Sequence, residues 1–434
     1  MLHRALSVLL VVPLVAVSSH ALASASADAS RPRCHGLLAT VVGTQGADRL
    51  TGTAGRDVIV ARGGDDRVDG RGGDDVICGG DGADTLIGGP GGDRLYGGQD
   101  LRERHGRRLV VTGDRLEGGP GDDLLDAGPA IRGADLIRQL DRISFEHSAR
   151  PVHVDLAGGT ATGEGHDTIV RERRLEVDGT PYDDVLLGSR LPETLDGGRG
   201  DDTVDGRGGS DAVLGYHGDD VLDGGDGRDL VIGTAGWETL RGGAGFDMII
   251  AGSPHPTTVL GGPSFDLIDR SVWGGPVGTI DGGPGSAQLE LEPQVFDDED
   301  NGAVGVLDRG AGTARLTWGS RERVVEFAGI RAFTLWGGQR WTFLGTDADD
   351  FVQVLEAPLS AQTLGGDDTI LGGDRNDTLD AGDGTDSVWG GGGHNECLHA
   401  EKGDCDGYPW DREPRLSART SHRAVLAWVT AADR

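Results

Sequence analysis

The stretch GGDGADTLIGGPGGDRLYGG, residues 79–98, decides the fold because its pattern repeats every nine residues. Residues 79–87 and 88–96 both carry glycine at the first, second and fourth positions, aspartate at the sixth and leucine at the eighth. Consecutive glycines permit positive φ and tight curvature, so the first six residues can form a turn. The last three suit a short strand whose middle side chain points inward. Each nonapeptide therefore predicts one turn and one strand.

The same nonapeptide recurs in three arrays along the chain. The first array begins at residue 43, the second at residue 179 and the third at residue 345. Two units make one coil of about 18 residues, and coils stack at about 4.8 Å, the spacing of paired strands. Each unit is therefore expected to pair with the next unit but one, which makes the chain a solenoid of stacked coils.

This stacking aligns the sixth-position aspartates of the first array into two columns, one with Asp48, Asp66 and Asp84 and the other with Asp57, Asp75 and Asp93. Carboxylates about 5 Å apart repel one another by about 1–4 kcal/mol per pair. A hard divalent cation between successive turns removes that repulsion and can bind the carbonyls of the glycine turns as well. Oxygen ligands of this kind favour calcium, and no His or Cys recurs in register to favour a softer metal.

The pattern G-G-x-G-x-D-x-U-x, matched throughout by residues 79–87 and 224–232, resembles the hemolysin-type (RTX) calcium-binding nonapeptide repeat of secreted actinobacterial proteins. The resemblance implies an all-β fold, a right-handed parallel β-roll or β-solenoid, with several calcium ions held between adjacent turns by aspartate and backbone carbonyls. The calcium ligands predicted on this basis are Asp48, Asp57, Asp66, Asp75, Asp84, Asp93, Asp123, Asp184, Asp202, Asp211, Asp220, Asp229, Asp247, Asp350, Asp368, Asp377 and Asp386.

Several turns depart from the repeat pattern. Glu193 and Glu238 are longer than aspartate and Asn395 is uncharged, which argues against ion sites at those turns. The Pro-rich stretch at residues 251–259 has no acid and is predicted to bind no ion.

The composition supports a need for cations. The chain of 434 residues has a formal net charge of −32 and contains 78 glycines, against about 30 at ordinary usage. Low hydrophobicity with high net charge predicts a disordered chain until the charge is neutralised. Such acidity repels nucleic acids and anionic membranes, so we expect neither nucleic acid nor membrane insertion among the partners, and we expect a monomer.

The N-terminus resembles a signal peptide, with Arg4, an apolar run over residues 5–17 and a small-residue cleavage site at residues 21–23. Cleavage after Ala25 or Ala27 is an equal alternative. The protein is therefore predicted to be secreted. An exported chain with an even cysteine count favours disulfides. The economical pairings are Cys34 with Cys78 and Cys397 with Cys405; free thiols are the alternative.

These observations divide the chain into eight segments: a signal peptide at 1–27, a Cys-containing cap at 28–42, a first array at 43–143 with a basic insertion at 99–111, degenerate rungs at 144–178, a second array at 179–269, Trp-rich rungs without calcium at 270–342, a third array with a Cys cap at 343–405, and a tail at 406–434.

Motifs for the enzymes that often accompany such repeats are missing from the sequence. It contains neither HExxH nor G-x-S-x-G, the motifs of metalloproteases and common lipases. Residues 297–308 imitate an EF-hand loop, but their flanks are not helical, so an acidic loop is the better interpretation.

We therefore expect a secreted, non-enzymatic calcium-binding protein that folds on calcium and has a structural or surface-interaction role, with a cell-surface glycan or protein as a possible partner. The alternative is a carbohydrate- or cell-wall-binding module, or a polysaccharide-modifying β-helix enzyme, that uses residues 260–342. The Trp-rich segment leaves two interpretations open: its aromatic residues pack inside calcium-free rungs, or they form a surface that stacks on carbohydrate.

Overall fold

The computed structural model describes residues 31–405, with gaps at residues 101, 106–107, 112, 130–135, 139–140, 171–173, 254, 273–277, 286, 294–302 and 319. The predicted signal peptide, the C-terminal tail and residues 297–302 of the acidic loop lie outside the described residues. Every regular element within the described ranges is a β-strand, and the 44 strands are numbered β1 to β44 along the chain. No helix there has the length and apolarity needed to cross a bilayer.

Two long sheets form the two sides of a solenoid. Sheet I consists of parallel strands that pair in chain order from β4 to β44. Its strands are β4 (Arg49–Thr51), β6 (Arg67–Asp69), β8 (Thr85–Ile87), β12 (Arg115–Glu117), β15 (Asp141–Ser144), β19 (Leu175–Asp178), β21 (Thr194–Asp196), β24 (Ala212–Leu214), β26 (Leu230–Gly233), β28 (Met248–Ala251), β30 (Asp266–Val272), β32 (Ala287–Pro293), β36 (Ile330–Trp336), β38 (Phe351–Leu355), β40 (Thr369–Leu371), β42 (Ser387–Trp389) and β44 (Lys402–Asp404).

Sheet II takes the alternate strands and is parallel except at two insertions. Its strands are β3 (Val41–Val42), β5 (Val58–Gly63), β7 (Val76–Asp81), β9 (Arg94–Gln99), β13 (Leu124–Asp126), β16 (His153–Asp155), β17 (Thr160–Thr162), β18 (His166–Val170), β20 (Val185–Leu187), β22 (Thr203–Asp205), β23 (Gly208–Gly209), β25 (Val221–Gly227), β27 (Thr239–Ala244), β29 (Thr258–Leu260), β31 (Thr279–Asp281), β33 (Val304–Asp308), β34 (Thr313–Trp318), β35 (Arg321–Ala328), β37 (Arg340–Leu344), β39 (Leu359–Gln362), β41 (Thr378–Asp380) and β43 (Glu396–Leu398).

The pairing register confirms the predicted coil of two nonapeptides. Leu50 pairs with Val68 and Val68 with Leu86, so each strand lies beside the strand 18 residues later. The all-β solenoid of parallel stacked coils predicted from the repeats is therefore confirmed. The basic insertion lengthens one coil, because Leu86 pairs with Leu116. Strands β10 (Arg102–His105), β11 (Arg108–Val111) and β14 (Leu136–Arg138) form a small separate sheet at that point.

Two antiparallel meanders interrupt sheet II. In the first, β18 pairs with the preceding coil at β13, whereas β16 pairs with the following coil at β20. Strands β33, β34 and β35 repeat this arrangement between β31 and β37. The stretches without repeats at 144–178 and 270–342 thus continue sheet II, but partly as meanders, because each contains more residues than one coil needs.

The eighth residue of each nonapeptide builds the core. Val68, Leu86 and Leu95 are fully buried, and one apolar cluster runs the length of the solenoid from Ile59 to Val388. The Trp-rich segment contributes Phe333, Trp341 and Phe343, which are also fully buried, and Phe333 packs against the ring of Phe343. In these rungs bulky aromatic side chains fill the interior, where each strand of the repeat arrays contributes one aliphatic side chain.

Disulfides tie both ends of the solenoid. Cys34, in the N-terminal hairpin of β1 (Arg33–Cys34) and β2 (Leu37–Leu38), is bonded to Cys78 in β7. Cys397 in β43 is bonded to Cys405, just after β44. Both pairings favoured by the sequence are present in the structure. Cross-links of this kind stabilise a fold mainly by restricting the unfolded chain.

Truncation of one core leucine tests the stacked-coil core. We expect Leu86→Ala to lower the free energy of unfolding by about 2–5 kcal/mol, because Leu86 is fully buried and its loss leaves a cavity. The measurement is urea denaturation at fixed calcium concentration. Leu260→Ala is the matched control on an exposed strand position and should change this free energy by less than about 1 kcal/mol. Equal effects of the two substitutions would contradict the assigned core.

Candidate metal centres

The sixth-position aspartates stack in columns, as the sequence predicted. The backbone N–H of Asp48 donates to Oδ1 of Asp66 at 2.7 Å, and the N–H of Asp66 donates to Oδ1 of Asp84 at 2.9 Å. Asp57, Asp75 and Asp93 make the same contacts in the second column. Each carboxylate is thus held by a backbone donor of the coil before it.

All three arrays repeat this ladder, with one column beside each sheet. The sheet I columns are Asp48–Asp66–Asp84–Asp114–Asp141, Glu193–Asp211–Asp229–Asp247–Asp266 and Asp350–Asp368–Asp386–Glu401. The sheet II columns are Asp57–Asp75–Asp93–Asp123–Asp167, Asp184–Asp202–Asp220 and Asp377–Asn395. Every aspartate predicted to bind calcium lies in one of these columns.

The second carboxylate oxygen of many column members is buried without a hydrogen-bond partner. These oxygens are the atoms at which the columns are suited to bind a cation. A buried, ionised oxygen without a partner is costly unless a positive charge neutralises it. Hard oxygen ligands in flexible glycine turns suit calcium. These atoms include Oδ2 of Asp66, Asp75, Asp84, Asp93, Asp114, Asp123, Asp202, Asp211, Asp229, Asp247, Asp266 and Asp386.

The first glycine of each repeat leaves room for this oxygen. A Cβ atom on Gly79 would lie 2.2 Å from Oδ2 of Asp84 and 2.7 Å from the carbonyl oxygen of Gly97 in the next coil. Gly80 has a φ of +122°, and its Cβ would lie 1.9 Å from the carbonyl oxygen of Arg62. In this repeat the glycine pair is therefore favoured both by space and by backbone conformation, and it brings carbonyls and carboxylates of successive coils together.

Burial and neighbouring carboxylates disfavour the charged form of these aspartates. Burial, reinforced by Asp66 and other carboxylates, raises the pKa of Asp84 to about 7. The same causes raise the pKa of Asp93 to about 7, that of Asp202 to about 8 and that of Asp114 to about 9. Near neutral pH the columns therefore contain carboxylates that need either a proton or a metal cation.

The structure adds five column members that the sequence analysis missed, of which Glu401 ends the third-array column of sheet I. Asp167 belongs to residues 162–170, TGEGHDTIV, and Asp266 to residues 261–269, GGPSFDLID, so both stretches follow most of the repeat pattern and could have been recognised. Asp114 and Asp141 extend the first column, but insertions split their turns, so their sequences carry no complete repeat.

One group of carboxylates converges more closely than the regular ladder requires. Asp100, Asp114 and Asp141 are all buried, and each offers a carboxylate oxygen within 4.8 Å of the other two. Asp100 lies at the start of the basic insertion and stands where other repeats have their fourth-position glycine. Oxygen ligands of this number and charge could hold a calcium ion together with turn carbonyls.

Glutamate and asparagine replace aspartate at a few turns. Glu193 accepts a hydrogen bond of 3.0 Å from the N–H of Ser189 and a second from its hydroxyl. Glu238 follows Asp220 in its column, and burial together with Asp220 raises the pKa of Glu238 to about 8. Asn395 accepts from the N–H of Asp377 at 2.9 Å, so it keeps the ladder but brings no charge.

Comparison with known families agrees with this geometry. The profile of the RTX calcium-binding nonapeptide repeat, which is four copies long, matches residues 42–77, 79–100, 112–129, 178–213, 196–231, 232–253 and 363–396. These matched segments are RTX calcium-binding nonapeptide repeats. No curated protein sequence matches the chain significantly. In this RTX-repeat protein Asp167, Asp266 and Asp350 lie outside the matched segments yet occupy the same columns.

The raised pKa values predict how pH affects the calcium-free fold. The folded chain binds more protons than the unfolded chain between the ordinary aspartate pKa of 3.8 and the raised values near 7. Stability is therefore greatest at low pH and falls as pH rises from about 4 through the raised pKa values of about 6 to 9.

We expect the melting temperature in EDTA to fall between pH 5 and pH 8.5, whereas saturating calcium removes most of that fall. Circular dichroism melts at several pH values measure both curves. A melting temperature in EDTA that stays constant or rises over this range would show that the columns are not the dominant titrating groups.

Proposed function

We propose that this RTX-repeat protein is secreted, that it folds when it meets extracellular calcium, and that it then has a structural or surface-interaction role without catalysis. The observation that carries the proposal is the set of buried carboxylate oxygens in the columns that lack hydrogen-bond partners. Their number and burial make the calcium-free fold electrostatically costly. The sequence-predicted aspartates whose second carboxylate oxygen lacks a partner, together with Asp114, Asp141, Asp167 and Asp266, would hold the ions.

Bound calcium would supply the positive charge that the stacked carboxylates require. The protein contributes the rest of each site: glycine turns bring carbonyl oxygens of successive coils together, and the N–H ladder orients every carboxylate. Because the net charge is −32, the free chain repels itself, and the binding free energy of the ions becomes folding free energy. Extracellular calcium modules bind with dissociation constants of about 10⁻⁴–10⁻³ M, which suits a protein that folds after export.

The disulfides support the proposed location. Both cysteine pairs are bonded, and disulfides of this kind persist in oxidising compartments such as the extracellular space. A cell-surface glycan or protein is the proposed partner class, and a monomer the proposed state.

A carbohydrate-binding role would need exposed aromatic rings. In the structure such rings are found in the second array. Trp341 in the Trp-rich segment is fully buried and so cannot stack on a glycan. In the second array, Trp237 is 64% exposed and Phe265 is 42% exposed. We therefore propose Trp237 as the residue to replace with alanine in a glycan pull-down performed in calcium. Retention of wild-type binding to every glycan tested would exclude this alternative for that face.

The calcium-folding proposal is tested by circular dichroism of residues 28–434 during titration with calcium and then with EDTA. We expect a cooperative and reversible gain of β-structure near millimolar calcium, because the columns fold only when neutralised. Magnesium at the same concentrations should not replace calcium, since it demands stricter octahedral geometry. A chain already folded in EDTA at pH 8 and unchanged by calcium would contradict the proposal.

One column residue can be tested directly. Asp84→Asn should reduce the number of bound ions and also raise the melting temperature in EDTA at pH 8, because it removes a buried charge that lacks compensation. Asp81→Asn is the matched control, since Asp81 is an exposed third-position residue of the same repeat. Isothermal titration calorimetry and thermal melts measure the two effects. Equal loss of ions in both variants would show that charge alone, and not the column, determines binding.

A further inference from the structure

The first turns of the columns differ chemically from the later turns. In the later turns one carboxylate oxygen is buried without a hydrogen-bond partner, as described above. In the first turns of the first array, the second-position residue is threonine rather than glycine. The N–H of Thr53 donates to Oδ2 of Asp57 at 2.6 Å, and its hydroxyl donates to the same atom at 2.9 Å. Thr44 makes the same pair of contacts with Asp48.

The second array begins in the same way. The N–H of Thr180 donates to Oδ2 of Asp184 at 2.5 Å, and its hydroxyl donates to Oδ1 at 2.9 Å. The N–H of Val152, from the meander before it, also donates to Oδ1 of Asp184 at 2.8 Å. Both carboxylate oxygens of this first turn are thus occupied by donors of the chain itself.

The third array begins with a complete positive charge. Arg309, in the turn between β33 and β34, forms a salt bridge with Asp350. Its Nη1 also lies 3.0 Å from the hydroxyl of Thr346 and 3.1 and 3.2 Å from the carbonyl oxygens of Ala348 and Asp349. The Arg309 side chain is 13% exposed and that of Asp350 is fully buried. One guanidinium group therefore meets the carboxylate and carbonyl oxygens of one repeat turn, which are the ligand types of calcium.

A second buried arginine lies at the far end of the second array. Arg270 is 2% exposed, and its Nη1 donates to the carbonyl oxygen of Ala251 at 2.7 Å. Nη1 also lies 3.4 Å from the hydroxyl of Thr257, and Nη2 donates to the carbonyl oxygen of His255 at 3.4 Å. This is the Pro-rich turn without an acid, and Thr257 stands there in the place of the column aspartate, after Glu238. The turn predicted to bind no ion thus contains a guanidinium group.

We propose that the chain's own donors close the ends of its carboxylate columns, and that the Arg309 guanidinium fills the cation position of the turn at residues 345–350 in place of calcium. Thr44, Thr53 and Thr180 satisfy the aspartates of their own turns with neutral N–H and hydroxyl donors. Arg270 closes the far end of the second array. Calcium is then needed only by the later turns, and each array contains a first turn that can form without calcium and on which the following coils stack.

This inference rests on the proposed function, and paired variants of one column separate the two. Asp350 and Asp386 belong to the same column, but only Asp386 has a buried oxygen without a partner. We expect Asp386→Asn to lower the number of calcium ions bound, measured by isothermal titration calorimetry, and Asp350→Asn to leave it at the wild-type value. An equal loss in both variants overturns the inference, whereas a wild-type chain that binds no calcium overturns the proposed function itself.

Removal of the guanidinium group provides the opposite test. Arg309→Met keeps an apolar stem and removes the guanidinium group, so we expect it to bind one calcium ion more than the wild type and to melt at a lower temperature in EDTA. Arg315→Met is the matched control, because Arg315 forms an exposed ion pair with Glu322 in the same meander; it should change neither value. An unchanged ion number in a folded Arg309→Met protein overturns the inference. If that variant does not fold, the comparison of Asp350→Asn with Asp386→Asn decides the question.

Discussion

The fold depends on one hydrogen bond that recurs along each column, from the backbone N–H of an aspartate to the carboxylate of the aspartate in the next coil. This bond fixes the stacking register, because a shift by one residue would move the carboxylate away from its donor. It also uses only one of the two carboxylate oxygens. The other oxygen is left buried, so the interaction that orders the coils also creates their need for a cation.

The apolar core and the columns respond differently to pH. Leu86 and its equivalents favour the stacked coil whenever they are buried, whatever the pH. The columns oppose stacking near neutral pH, since burial raises the pKa of residues such as Asp84 and Asp202 towards or above neutrality. With few aromatic residues and a net charge of −32, the core has little excess stability to offset that repulsion. Calcium dependence is therefore a consequence of a small core carrying a dense row of charge.

The two meanders without repeats supply hydrogen-bond donors at the ends of the arrays. The meander at β33–β35 keeps sheet II continuous and places Arg309 over the first turn of the third array. The meander at β16–β18 places the N–H of Val152 over the first turn of the second array. Column ends would otherwise present carbonyls and carboxylates with no coil beside them. These segments thus supply polar contacts where the second and third arrays begin, while Phe333 and Trp341 fill the coil interior.

The sequence alone determined the nonapeptide turn, the 18-residue register, the core position and most column aspartates, because each follows from contacts within one repeat or between identical repeats. Asp167 and Asp266 could also have been predicted from the sequence, because the residues around them keep most of the repeat pattern. Only the tertiary structure assigned Asp114 and Asp141 to a column, because insertions separate them from their turns. It alone showed the contacts of Arg309, because a guanidinium group that approaches a turn 41 residues away leaves no periodic signal in the sequence.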